Sequence, residues 1–184
     1  MKIKWTIIKS LVVFAVFTFF SIIVTTIKEI YILINPRMPI PYQSSEVHHI
    51  YDIDVKNAPY IEDVIDDILH SVNTPDIIIW HNIEYDEGMI RLELKRLDKL
   101  YKYLPQQSMC TMKTTVDFCS LQWNWKRFKY PKLWELHKKL FWEYFIWAHD
   151  ALTDVKATLR CFLELKEKWV LEVEKKEDNK ISLF

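Results

Sequence analysis

The chain has 184 residues and no net formal charge, with 25 Lys and Arg against 25 Asp and Glu. Half of the residues are hydrophobic and 15% aromatic, which excludes a disordered chain and suits one domain with a sizeable core. Neutrality also excludes a global basic field, so a polyanion site must be local.

Lys2, Lys4 and Lys9 precede an uncharged apolar run from Ser10 to Ile27. The run reaches the roughly 17–25 residues of a bilayer-crossing helix and carries no Ala-x-Ala cleavage signal. Its wealth of Val, Ile, Phe and Thr equally suits buried strands, although no glycine or proline supplies a turn. A truncated or shifted start is a third reading, and the three stay open. The expected location is cytoplasmic, or membrane-anchored through residues 10–27. This gives a hydrophobic segment over 1–28, a folded domain over 29–170 and a charged tail over 171–184.

Glu29 to Ile34 reads as a strand stopped by Asn35-Pro36, and Pro36, Pro39 and Pro41 mark an extended connection. A helix is predicted from about Tyr60 to Val72, since Ile61, Val64, Ile65, Ile68, Leu69 and Val72 recur at helical spacing. Ile77 to Trp80 is a short apolar run fit for a strand buried on both faces. The next helix is expected from about Asp86 to Tyr101, with Pro105 closing it. A short extended piece then covers Cys110 to Lys113, and a brief helix Thr115 to Leu121. Pro131 suits the first position of a further helix. The last helix runs from about Asp150 to Val170. Strands alternating with helices predict an α/β layered fold.

Turns must rely on Asn, Asp, Pro and Ser, because Gly88 is the single glycine. Cys110, Cys119 and Cys161 show no CxxC spacing and fit buried, reduced thiols. His48, His49, His70 and His137 lack metal-ligand spacing and read as structural.

Two segments carry chemistry: His81-Asn82-Ile83-Glu84-Tyr85-Asp86, and His149-Asp150-Ala151-Leu152-Thr153-Asp154. Each pairs a histidine with carboxylates at the mouth of a predicted helix, a kit for metal-assisted hydrolysis. Asp86 shares a stripe with Ile90, Leu94, Leu97 and Tyr101, and Asp154 a face with Thr158, Cys161 and Leu165. An acid on an apolar face is costly unless paired or bound to metal. Taken alone, Asp86 reads as a helix N-cap, and Asp150 is the natural cap beside His149.

HNxxYD followed by AHDALTD, with Lys129 to Leu136 between them and Asn35-Pro36 and Ile40-Pro41 upstream, resembles the DnaQ-like (DEDDh) 3′–5′ exonuclease family. The resemblance covers about Tyr31 to Lys168. It implies a ribonuclease H-like fold with a mixed central sheet flanked by helices, and two Mg²⁺ or Mn²⁺ ions. It further implies Asp86 and Asp154 as metal ligands, His149 as general base, and a DNA or other nucleic-acid 3′ end as substrate, alone or beside a DNA polymerase. The chain departs from the family in having no Asp-x-Glu before Asp86. Asp52-Ile53-Asp54 follows His48-His49-Ile50, which matches the family's His-Gly-Ile turn, so Asp52 and Asp54 read as turn and capping residues. Weak metal binding and lowered catalysis follow, and the alternative is an inactive relative that binds nucleic acid or a protein partner.

Trp123 to Lys132 interleaves cations with rings and can track a phosphate backbone while stacking bases. A surface loop with its tryptophans docked in the core is the equal alternative. We assign His81, Asn82, Lys126, Arg127 and Lys129 as nucleic-acid contacts. Trp142 and Trp147 stand where the family has small residues and crowd the approach to His149.

Overall fold

The computed structural model describes residues 30–104, 107–125, 127–143 and 151–171. The apolar run 10–27, Glu29, Pro105, Lys126, Trp147, His149, Asp150 and residues 172–184 of the charged tail lie outside these residues. Among the described residues no helix is long and apolar enough to cross a membrane.

Two short helices come first, α1 (Tyr42–His48) and α2 (Asp52–Val55). They follow the connection marked by Pro36, Pro39 and Pro41, in a stretch for which no helix was expected. Local acceptors build them: the Pro41 carbonyl receives Ser44 N–H at 2.8 Å, and Asp54 Oδ2 receives Tyr51 N–H at 2.8 Å. Asp52 Oδ1 accepts from Ile40 N–H at 2.8 Å across the loop. The turn and capping roles expected of Asp52 and Asp54 are therefore present.

No strand occurs from 30 to 34 among the described residues. Ile34 is instead buried against the following helix, and Asn35 N–H bonds to the Pro59 carbonyl at 2.9 Å rather than to a neighbouring strand. That helix, α3 (Ile61–Asn73), buries Ile61, Ile65, Ile68, Leu69 and Val72. Each such side chain contributes roughly 1.5–3 kcal/mol of hydrophobic stabilisation.

Strand β1 (Ile77–Trp80) enters the centre, followed by α4 (Ile83–Arg96), a 3₁₀ turn at Leu100–Lys102 and β2 (Gln107–Cys110). β1 and β2 are parallel, in register from Ile77 with Gln107 to Trp80 with Cys110. A parallel pair needs a crossover, and α4 supplies it. α4 ends earlier than the predicted helix, at Arg96, because Asp98 takes a left-handed φ of 54°. Tyr101 consequently stands 78% exposed instead of completing the apolar stripe.

Of the segment Cys110 to Lys113 only Cys110 is extended, as the end of β2: α5 (Thr111–Thr114) starts directly after the strand, followed by α6 (Val116–Cys119). Threonine hydroxyls drive this. Thr114 Oγ1 donates to Cys110 O at 3.0 Å and Thr115 Oγ1 to Thr111 O at 2.6 Å, bonding back one turn. A hairpin of β3 (Gln122–Asn124) and β4 (Arg127–Phe128) comes next. α7 (Leu133–Phe141) begins two residues later than Pro131, with Lys132 as its cap residue and Lys132 N–H bonded to Glu135 Oε2 at 2.8 Å. α8 (Ala151–Glu167) is the last helix described.

Alternation along β1 sets the layers. Ile78 and Trp80 pack against the core of α3 and α4. Ile79, one residue out of phase, packs with Met109 against Cys119, Leu136, Leu140, Cys161, Phe162 and Leu165 from α6, α7 and α8. Helices on both faces of a parallel pair give the expected α/β layering. The three cysteines are free and buried, and burial pushes the Cys161 thiol up to about 12.

Seven non-glycine residues have left-handed φ among those described: Arg37, His49, Asn82, Asp98, Ser120, Trp142 and Trp169. Asn, Asp and Ser are turn formers of the kind expected. Arg, His and Trp in this conformation are not.

Candidate active site

β1 delivers its last residue, Trp80, to the edge of the sheet, and the chain turns there through His81 and Asn82. Asn82 holds φ 74° and ψ 54° and serves as the cap residue of α4, its carbonyl accepting from Tyr85 N–H at 3.0 Å. Asparagine tolerates this left-handed turn better than other side-chain-bearing residues. Because Asn82 is the cap, Asp86 is not, and the simplest structural explanation for that acid falls away. Asp86 sits in the first turn of α4, half-buried, one turn before the buried Ile90 and two before Leu94.

Asp154 occupies the first turn of α8, which packs against β1. It is half-buried, with Thr158 Oγ1 donating to its carbonyl at 2.8 Å, and Thr158, Cys161 and Leu165 below it are buried as expected. Burial first, and the charge of Asp154 second, push the Asp86 carboxyl up to about 6. Two acids far apart in sequence thus lie within electrostatic reach of each other. The third expected member, His149, and the adjacent Asp150 lie outside the described residues.

His81 has a different place from the one expected. Its Nε2 lies 3.1 Å from the Pro131 carbonyl and its Nδ1 2.9 Å from Thr111 Oγ1. A carbonyl only accepts, so Nε2 carries the proton, and burial holds the ring's pKa down to about 4 despite the Pro131 bond. In the neutral ring Nδ1 is an acceptor, and it shares the single Thr111 hydroxyl proton with Trp80 O, to which that hydroxyl donates at 3.0 Å. Both ring nitrogens are thus engaged within the protein, and His81 ties the end of β1 to the residues before α7 rather than offering an open donor to a strand. Sequence reasoning missed Thr111, which is fully buried at the junction of β1, β2 and α5. Its only signal was a threonine-rich stretch immediately after an apolar piece. Also unanticipated is the ion pair Glu84–Lys113 at 2.6 Å, which joins the start of α4 to α5.

On the hairpin, Arg127 is exposed, whereas Lys129 is half-buried and its ammonium pairs with Glu135. Lys129 is therefore committed inside the protein, because Glu135 stands in the first turn of the adjoining α7. Lys126 lies outside the described residues. Trp123 and Trp125 are 72% and 100% exposed, so the alternative in which they dock into the core is excluded. Trp142 ends α7 at 89% exposure, held by its N–H on Lys138 O at 2.9 Å.

Among known families, the model described as "Exonuclease" (RNase T) matches residues 14–162, well over half of the chain. No curated protein matches. Among solved structures, the chain is similar to an exonuclease X in complex with 5′ overhanging duplex DNA, with a TM-score of 0.55 and 22% identity. That alignment covers 84% of this chain and 83% of the other. At this identity the likeness speaks to the fold.

Proposed function

The chain belongs to the RNase T exonuclease family and has a ribonuclease H-like α/β fold, and on that premise we propose that it hydrolyses phosphodiester bonds at nucleic-acid 3′ ends. What supports this reading above all is the pair of inward acids, Asp86 from α4 and Asp154 from α8, each close enough to feel the other's charge. Such a pair fits a hard divalent cation, Mg²⁺ or Mn²⁺, because positive charge relieves both the desolvation and the mutual repulsion of the carboxylates. Asp86 and Asp154 would hold the cation. Bound there, it would supply the positive charge that stabilises the attacking and leaving oxygens. His149, five residues before Asp154 in the sequence, would take the proton from the attacking water at a ring nitrogen.

The family match begins at residue 14, inside the apolar run 10–27. We therefore read that run as strands of the nuclease domain rather than as an anchor.

One observation favours a second reading, a relative that binds nucleic acid or a protein partner without cleaving. No Asp-x-Glu occurs anywhere in the 184 residues. Among the described residues no three His, Cys, Asp or Glu gather at one point. A 3′-labelled single strand incubated with Mn²⁺ or EDTA separates the two. The nuclease releases label with Mn²⁺ alone, loses this in Asp154→Ala, and slows by about 10²–10⁴-fold in His149→Ala. Intact label at high protein concentration establishes the second reading.

A further inference from the structure

We infer that the β3–β4 hairpin is a stacking platform that grips single-stranded nucleic acid on residues other than the acids of the hydrolytic site, and does so without regard to sequence. The inference rests on the nuclease reading above but on different residues. Trp123 and Trp125 are 72% and 100% exposed, and Phe128 and Tyr130 are 42% and 59% exposed, all within one short hairpin and its exit. Large rings left in water in such density are costly unless something covers them.

Charge on the same segment selects what that is. From Gln122 to Lys132 there are cations and no acid, in a chain whose net charge is zero. Lys129 is neutralised by Glu135, but Arg127 and Lys132 are exposed and leave the segment cationic. Rings interleaved with cations match a polyanion whose bases are unpaired, since each base offers a π-face and each linkage a negative charge. Duplex buries those faces in its own stack and is excluded from this mode.

The platform is also built in rather than loose. Asn124 Oδ1 accepts from Arg127 N–H at 3.1 Å across the turn, and Lys129 N–H bonds to Leu121 O at 2.8 Å at its base. Tyr130 is followed by buried Pro131, whose carbonyl holds His81 at 3.1 Å. The hairpin is therefore fastened to the same turn that leads from β1 to Asp86. A strand held on its rings is held in a fixed relation to that turn.

The test uses the full chain in EDTA, so that binding is read without cleavage. The probe is a 5′-fluorescein oligothymidylate of about twenty nucleotides, longer than the roughly 4–16 that such surfaces cover. Its blunt duplex serves as the comparison. Anisotropy is expected to show tighter binding of the single strand. Trp123→Ala and Trp125→Ala each weaken it roughly tenfold, with duplex binding unchanged. Trp125→Phe restores most of the affinity, which guards against a folding defect. Arg127→Gln lowers the salt-dependence slope by about 0.7.

Unchanged single-strand affinity in the Trp123→Ala, Trp125→Ala double variant overturns the inference, as does absence of single-strand binding by the wild type, which would leave the rings to a protein partner. Cleavage with Mn²⁺ is scored separately. Ring-dependent binding without cleavage overturns the nuclease reading alone, and cleavage with ring-independent binding overturns the platform alone.

Discussion

Asp86 and His81 sit five positions apart and respond to pH in opposite directions. Asp86 is raised from 3.8 to about 6, so the folded protein binds the extra proton between those values and stability falls as pH rises through them. His81 is lowered from 6.5 to about 4, so the unfolded chain binds the extra proton and stability rises with pH over nearly the same window. Each displacement is worth up to about 3 kcal/mol, and in the wild type the two largely cancel. Chemical denaturation from pH 4 to 6.5 without divalent cation should expose them. Relative to wild type, Asp86→Asn gains stability as pH rises, and His81→Gln loses it. pH-independent differences would contradict the burial assigned to both groups. The acids were legible in the sequence because a carboxylate on an apolar helical stripe breaks a pattern. The tie made by His81 was not, because Thr111 and the Pro131 carbonyl approach it only through the fold.

At the level of elements, the end of β1 depends on one hydroxyl. Thr111 Oγ1 reaches both Trp80 O and His81 Nδ1. Thr111→Val keeps the shape and removes the one hydroxyl proton that the two acceptors share, at a cost of about 1–3 kcal/mol. Hydrogen exchange at His81 and Asn82 should quicken well before that of α3, and uniform protection would show that the hydroxyl is dispensable. Elements with strong periodicity were readable: α3 and β1 stand where the apolar spacing puts them. α1 and α2 were not, since the Pro41 carbonyl and the side chains of Asp52 and Asp54, acting as acceptors, create them. The start of α4 was misplaced at Asp86 because Asn82 caps through its backbone turn, with no side-chain bond to announce it.

For the whole molecule, two cores flank one parallel pair, and their division follows from a single out-of-phase residue, Ile79, between Ile78 and Trp80. A continuous apolar run predicted burial on both faces, and that is how the layers were legible. Whether the apolar run 10–27 belongs to this body is open to direct test. If it supplies strands, deleting residues 10–27 abolishes the cooperative thermal transition, and alkaline carbonate extracts the full chain from membranes. A deletion variant that still melts cooperatively would assign the run to an anchor.

The left-handed residues carry a consequence for engineering. Each side chain held at positive φ gives up about 1–2 kcal/mol that glycine would not, less the freedom glycine gains when unfolded. His49 and Trp169, at φ 56° and 57°, are exposed and contribute little packing. His49→Gly and Trp169→Gly should each raise the melting temperature by about 2–4 °C, which calorimetry would register. A fold built with one glycine thus holds unused thermal headroom, concentrated where its chain turns at positive φ and reachable one codon at a time.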